Sequence, residues 1–257
     1  MKKYILRTIA ICLAIFILAP VIEVNGQELS WYCRRNKDHK QPTSDPQFSF
    51  VEECAGIYVD RSHSDDNEEK VIYLTFDVGY ENGNVGKILD VLKEESVGGS
   101  FFILGNVIKR NPELVLRMAN EGHIVCNHTT NHINLVGKSE ETFKNEVLGL
   151  ENEYKKLTGM EMAKFFRPPQ GTFDREMLER AQALGYKTVF WSFAYADWDN
   201  DKQMDESEAL KKILDNIHNG EIMLLHPTSA TNAKIMQRLI KELKAQGYSF
   251  ATLDKIK

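Results

Sequence analysis

The chain has 257 residues, enough to bury a sizeable core in one large α/β domain or two small ones. Its 32 Lys and Arg stand against 37 Asp and Glu, a formal net charge of −5 at pH 7. With no basic excess to neutralise a phosphate backbone, nucleic acid is not an expected partner, and charge offers no route to a membrane surface.

At the start of the chain, Lys2, Lys3 and Arg7 precede an apolar run from Ile9 to Ile22, broken only by Pro20, and "VNG" stands before Gln27. A basic head, a short apolar stretch and a cleavage point read as a secretory signal over residues 1–26. An uncleaved anchor is the alternative, because Val24-Asn25-Gly26 departs from a small-x-small site. Either way the working domain is expected outside the cytoplasm, secreted or anchored at the cell envelope. Cys12 lies within the run, leaving Cys33, Cys54 and Cys126. A Cys33–Cys54 bridge is open in an oxidising compartment, but free thiols are the expectation, and no C-x-x-C metal spacing occurs. Residues 27–69, with "NKDHKQPTSDP" and "RSHSDDNEEK", read as an irregular N-terminal extension with little core of its own, His39 and His63 being exposed loop histidines.

After Lys70 short apolar runs alternate with amphipathic stretches. "VIYLTF" is followed by "NVGKILDVLKEE", "SFFIL" by "PELVLRMANEG", "HIVCN" by "SEETFKNEVLGLENEYKKLTG", and "KFFR" by "REMLERAQALG"; "TVFWSFA", "EALKKILDNIHNG", "EIMLLH", "NAKIMQRLIKELKAQG" and "SFATL" complete the series. Consecutive apolar residues over a strand's length suit strands buried on both faces, and the intervening segments carry the helical period. The pattern predicts a repeating β-α unit with about seven strands in one domain, residues 70–257. On that register Asp77 ends the first strand, His128 and His132 follow the third, Arg167 ends the fourth, Asp197 follows the fifth and His226 ends the sixth. Parallel strands gather their carboxyl ends on one face, so five segments deliver reactive side chains to one place.

"TFD" at Thr75 to Asp77, "HTTNH" at His128 to His132, "RPPQG" at Arg167 to Gly171, "DW" at Asp197 and Trp198, and "LLH" at Leu224 to His226 resemble the five ordered motifs of polysaccharide deacetylases with a NodB-type domain. The resemblance implies a distorted (β/α)7, TIM-like barrel and hydrolysis of an N-acetyl group on an amino sugar, with peptidoglycan strands as partner; no protein partner is implied. "TFDVGYENG", "GKILDVLK", "NKDHKQP" and "LLHPTSATNA" resemble more closely one branch, the peptidoglycan N-acetylmuramic acid deacetylases that lead to muramic δ-lactam in spore cortex. N-acetylglucosamine or a chitin-like polymer is the alternative substrate, and an inactive glycan-binding envelope protein the alternative class.

Removing an acetyl group requires a nucleophilic water, charge stabilisation on the carbonyl oxygen and a proton for the departing amine. Asp77 is the candidate base, and the resemblance implies that Arg167 orients it. His226 is the candidate acid, with Asp197 stabilising its imidazolium form. Pro168 and Pro169 have no N–H, so the Gln170 amide is the first donor after Arg167 and the candidate oxyanion contact. By resemblance, Trp198 and Leu224 wall the acetyl pocket. His128 and His132, at i and i+4, suit a shared cation such as zinc.

The residue after Asp77 is Val78. Most relatives carry a second aspartate there, the third ligand of an Asp-His-His site. Three outcomes stay open: two histidines completed by water, a substitute oxygen from Asp77 or Glu81, or no required metal. Weak, exchangeable binding of a divalent metal is expected, with Val78 facing the site mouth.

Overall fold

The computed structural model describes residues 26–256 apart from residue 37, so the segment expected to be a signal or anchor lies, save Gly26, outside the described residues. In chain order the elements are β1 (Leu29–Ser30), β2 (Cys33–Arg34), β3 (Thr43–Ser44), α1 (Phe50–Glu53), β4 (Lys70–Val78), α2 (Val85–Glu94), β5 (Ser100–Ile103), α3 (Gly105–Arg110), α4 (Pro112–Asn120), β6 (Ile124–Asn127), α5 (Glu140–Thr158), β7 (Phe165–Phe166), β8 (Thr172–Phe173), α6 (Arg175–Ala183), β9 (Lys187–Thr188), α7 (Glu206–Leu214), β10 (Glu221–Leu225), α8 (Ala230–Ala245) and β11 (Tyr248–Phe250). Helix starts follow local chemistry: Ser139, Asp174, Asp205 and Ser229 each accept a backbone N–H from the first turn of α5, α6, α7 and α8.

Seven parallel strands form the curled sheet, in the order β10-β4-β5-β6-β7-β9 with β11 also on β4. β4 is the longest and is apolar at nearly every position, as a strand covered on both faces must be. Its side chains alternate. Ile72, Leu74, Phe76 and Val78 pack with Ile88, Leu92, Val115 and Leu239 of the surrounding helices, whereas Val71 and Tyr73 join Phe102, Cys126 and Ile222 in the barrel interior. β7 is cut to two residues because Pro168 and Pro169 cannot donate to a ladder. Among the described residues no ladder joins β9 to β10, and the isolated bridge from Phe193 to Met223 spans that side. The barrel is therefore partly open, as a distorted (β/α)7 barrel requires.

The extension helps fill this gap, and its apolar residues are buried against the main domain. Ile57 pairs with Val189 and Val59 with Glu221. Trp31, Phe48, Val51 and Tyr58 are buried in one cluster with Phe166, Phe173 and Phe190, and Trp31 stacks on Phe190 at 4.4 Å between centroids. Its apolar residues are spaced without a period, which hides them from pattern reading. His63 also departs from the exposed-loop expectation: it is half-buried and its Nδ1 lies 2.7 Å from the carboxylate of buried Asp60. His39 is exposed as expected. Cys33, Cys54 and Cys126 are free thiols. Among the described residues no helix is long and apolar enough to cross a membrane.

Candidate active site

A cavity of 650 Å³ opens where the strands end, lined by Asp77, His128, His132, Gln170, Trp198, Leu224 and His226 among others. Arg167 and Asp197, the two remaining residues singled out in the sequence, are buried directly behind Asp77 and His226. All nine therefore converge on one place.

Asp77 sits one residue before the end of β4, on the interior face, with its side chain 10% exposed. Arg167, fully buried, holds it through Nη1 to Oδ1 at 2.8 Å. The same guanidinium donates to Thr75 Oγ1 at 2.9 Å and to the carbonyls of Val189 at 3.0 Å and Phe190 at 3.2 Å, and lies 4.1 Å over the Phe102 ring. Only arginine's planar fork can meet these partners together. Burial disfavours the charged form of Asp77, but the charge of Arg167, then those of His128 and His226, outweighs it, and the carboxyl stays below its ordinary range.

Across the cavity, His226 Nδ1 bonds Asp197 Oδ1 at 2.7 Å, while Asp197 Oδ2 accepts from the His226 backbone N–H at 2.8 Å and from Asn232 Nδ2 at 2.6 Å. Tyr195 donates its hydroxyl to the Asn232 side-chain oxygen, which fixes the orientation of that amide. Burial opposes protonation of His226, but the hydrogen bond and charge of Asp197, aided by Asp77, raise its pKa. One carboxyl is thus pushed down and one imidazole up in the same cavity, the divergence expected of a base and acid pair.

His128 Nδ1 lies 2.8 Å from the Arg167 carbonyl, which can only accept, so the proton is on Nδ1 and Nε2 keeps its lone pair. That Nε2 is 3.6 Å from Asp77 Oδ2, and the His128 and His132 rings are 5.0 Å apart, edge to face. Burial pushes His128 down to about 4 and also lowers His132, which keeps both imidazoles neutral and able to ligate. Among the described residues, no three His, Cys, Asp or Glu side chains gather around a common point. The donor set offers a cation two imidazole nitrogens, with water to complete its shell.

Val78 is corrected by the structure. It is fully buried in the helix-side cluster and does not line the cavity, because alternation along β4 turns it away from the face that Asp77 occupies. The expectation that it faces the site mouth fails for that reason. Gln170, with φ of 60°, makes the left-handed turn that carries the loop after Arg167 along the cavity wall. Trp198, 59% exposed, forms a rim 6.0 Å from the His226 ring. Trp191 and Tyr195 also line the cavity, and sequence reasoning missed them. The aromatic run from Phe190 to Trp198 was the available signal, but it follows no regular strand, so spacing does not say which side chains face inward.

A second histidine chain serves as a contrast. At the start of β10, His218 Nε2 meets Ser192 Oγ at 2.9 Å and His218 Nδ1 lies 3.1 Å from Glu221 Oε2. All three residues are buried, and burial raises the Glu221 pKa well above its ordinary value, which disfavours the ionised carboxylate that a Ser-His-Glu relay needs. It is interior packing at the face where barrels are built for stability.

The geometry has close counterparts. A model of the polysaccharide deacetylase family matches residues 64–189. The chain is 37% identical over 252 residues to the peptidoglycan-N-acetylmuramic acid deacetylase PdaA of Bacillus subtilis, spanning 96% of this chain and 94% of that protein. It is 32% identical over 195 residues to a peptidoglycan-N-acetylglucosamine deacetylase of Bacillus cereus, spanning 74% and 89%. The solved structure of Bacillus subtilis PdaA, described as a family 4 carbohydrate esterase, superposes with a TM-score of 0.85, covering 91% of this chain and 98% of that one. With fold, ordered motifs and near full-length relatives in agreement, the chain belongs to the polysaccharide deacetylase family.

Proposed function

We propose that this protein is an extracytoplasmic de-N-acetylase of peptidoglycan that acts on N-acetylmuramic acid, the step preceding muramic δ-lactam in spore cortex. The observation that carries the reaction type is the opposed tuning of Asp77 and His226 in a single cavity. The substrate is supported by the 37% identity to PdaA along nearly the whole chain. The envelope location follows from that substrate, which lies outside the membrane.

In the reaction we derive, Asp77, kept ionised and aimed by Arg167, takes a proton from a water as its oxygen attacks the acetyl carbonyl carbon. The carbonyl oxygen becomes an oxyanion, for which the Gln170 backbone N–H is the candidate donor. The C–N bond then breaks as His226 gives its proton to the nitrogen, and Asp197 stabilises the imidazolium until that moment. Acetate and the free amine are the products. Trp191, Tyr195 and Leu224 give the acetyl methyl an apolar wall, and Trp198 offers a face to the sugar ring. A divalent cation held by His128 and His132 would polarise the acetyl carbonyl and lower the pKa of bound water.

The test is mass analysis of purified muropeptides after incubation with the mature domain, with and without added zinc. Loss of acetyl from muramic acid residues is the expected result. Loss confined to glucosamine residues would move the substrate to that of the Bacillus cereus relative, and glycan binding without acetate release would overturn the enzymatic reading.

A further inference from the structure

The loop carrying His128 and His132 has a backbone that its own residues do not favour. Thr129 has φ of 75° and His132 φ of 57°, a left-handed region that suits glycine and is rare for a β-branched residue. Two bonds within the loop help: Asn127 Oδ1 accepts from Thr129 N at 3.0 Å, and Thr129 Oγ1 accepts from His132 N at 3.0 Å. Further support comes from one residue on α5. Glu146 accepts Asn131 N at Oε2, 2.8 Å, and Asn131 Nδ2 at Oε1, 2.7 Å, while its carbonyl accepts Thr130 N at 3.1 Å and Thr130 Oγ1 at 3.0 Å. On the other side, a Cβ on Gly105 would lie 2.9 Å from Thr130 Cγ2, so α3 closes against the same loop.

Glu146 is buried, with 7% of its surface exposed, and among the described residues it has no Lys, Arg or His within ion-pair distance. A buried carboxyl without a basic partner is costly, and both its oxygens are given to the residue between the two left-handed positions. Helical packing alone would be served by an apolar side chain there, as at Phe143, Val147 and Leu150 on the same buried face of α5.

We propose that Glu146 is a positioning residue for the reaction: it clamps Asn131 so that the loop turns back at His132 and sets that imidazole beside His128, 5.0 Å between ring centroids, where the two rings can serve one cation. His128 does not depend on the clamp, because its ring is oriented by the Arg167 carbonyl. The proposal rests on the reading of His128 and His132 as cation ligands, and the test separates the two.

The experiment compares wild type, Glu146→Ala, Glu146→Gln and Asn131→Ala by zinc titration calorimetry, by the imidazole NMR resonances of the metal-free proteins and by the kinetics of acetate release. Glu146→Ala should weaken zinc binding about tenfold or more, lower kcat with KM within about twofold, and move the His132 resonances while leaving those of His128 near their wild-type positions. Glu146→Gln should restore most of this, since Asn131 can turn its amide and keep both bonds. If Glu146→Ala does not fold, the exposed Asn131→Ala decides, with a loss of about threefold or more in zinc affinity expected. A Glu146→Ala or Asn131→Ala protein with wild-type zinc affinity, kcat and His132 resonances overturns the clamp. A wild type that binds no zinc removes the ligand reading, and the clamp is then upheld or overturned by whether the His132 resonances move in the metal-free variants.

Discussion

Replacing Arg167 by lysine keeps the charge next to Asp77 and removes the fork. Wild-type Arg167 donates to four oxygens, those of Asp77, Thr75, Val189 and Phe190, from a site with no exposure. A lysine ammonium is one nitrogen, and placed 2.8 Å from Asp77 it cannot also reach the two carbonyls that Nε and Nη2 now serve. Two buried carbonyls left without donors, at about 1–3 kcal/mol each, and a lost stack on Phe102 predict a destabilisation of about 3–5 kcal/mol, readable by urea denaturation. The catalytic consequence is separate. Among the influences that lower the Asp77 pKa, the Arg167 charge is the largest, so a looser cation lets that pKa rise. The base is active when ionised, and the acidic limb of the kcat/KM profile should therefore move to higher pH. The linkage has a definite sign as well. A depressed carboxyl contributes stability above its unfolded pKa of about 3.9 and loses it as pH falls through the folded value, so the stability gap between wild type and variant should narrow in acid. An Arg167→Lys protein with wild-type stability and an unmoved acidic limb would refute this account of the arginine.

Three further predictions follow from single residues. Asp197→Asn should shift the basic limb of the pH-rate profile to lower pH, because the carboxylate that raises the His226 pKa is gone, and an unmoved limb would uncouple the pair. Val78→Asp should cost at least about 2 kcal/mol, since it puts a carboxyl among apolar helix-side residues, and should leave zinc affinity within about threefold; a tenfold tightening by calorimetry would show that position 78 turns into the site after all. Trp31→Ala should cost about 3–5 kcal/mol in urea unfolding, because the indole stacks on Phe190 and donates Nε1 to the Trp191 carbonyl at 2.9 Å, and a loss below about 1 kcal/mol would separate the extension from the core.

β4 and the long helices were legible because β4 is continuously apolar and α5 and α8 repeat every three to four residues between a capping serine and their ends, whereas "TVFWSFA" read as a strand but keeps only Thr188 in β9. The site was legible because parallel topology sends strand ends to one face, which converts sequence order into spatial convergence. What stayed hidden depends on tertiary contacts. Which face Val78 takes is set by alternation from the buried interior outward, and a strand apolar on both sides carries no mark of it. Trp31 and Phe48 lie in a polar, aperiodic stretch and acquire a core only against Phe173 and Phe190, far along the chain. Asn232 and Glu146 look like ordinary polar residues of amphipathic helices, and only burial beside Asp197 and Asn131 separates them from their neighbours. The short helix α3, six residues ended by Asn111 and Pro112, was too brief for periodicity to show.

The central claim is that Asp77 is the base of a deacetylase, and acetate release by Asp77→Asn, measured beside glycan-strand binding, tests it most directly. The side chain is isosteric and Arg167 can still donate to the amide oxygen, so fold and binding should stay near wild type while acetate release falls by about a hundredfold or more. Turnover within about tenfold of wild type, with binding intact, would contradict the account and return the search for the base to the remaining groups of the cavity.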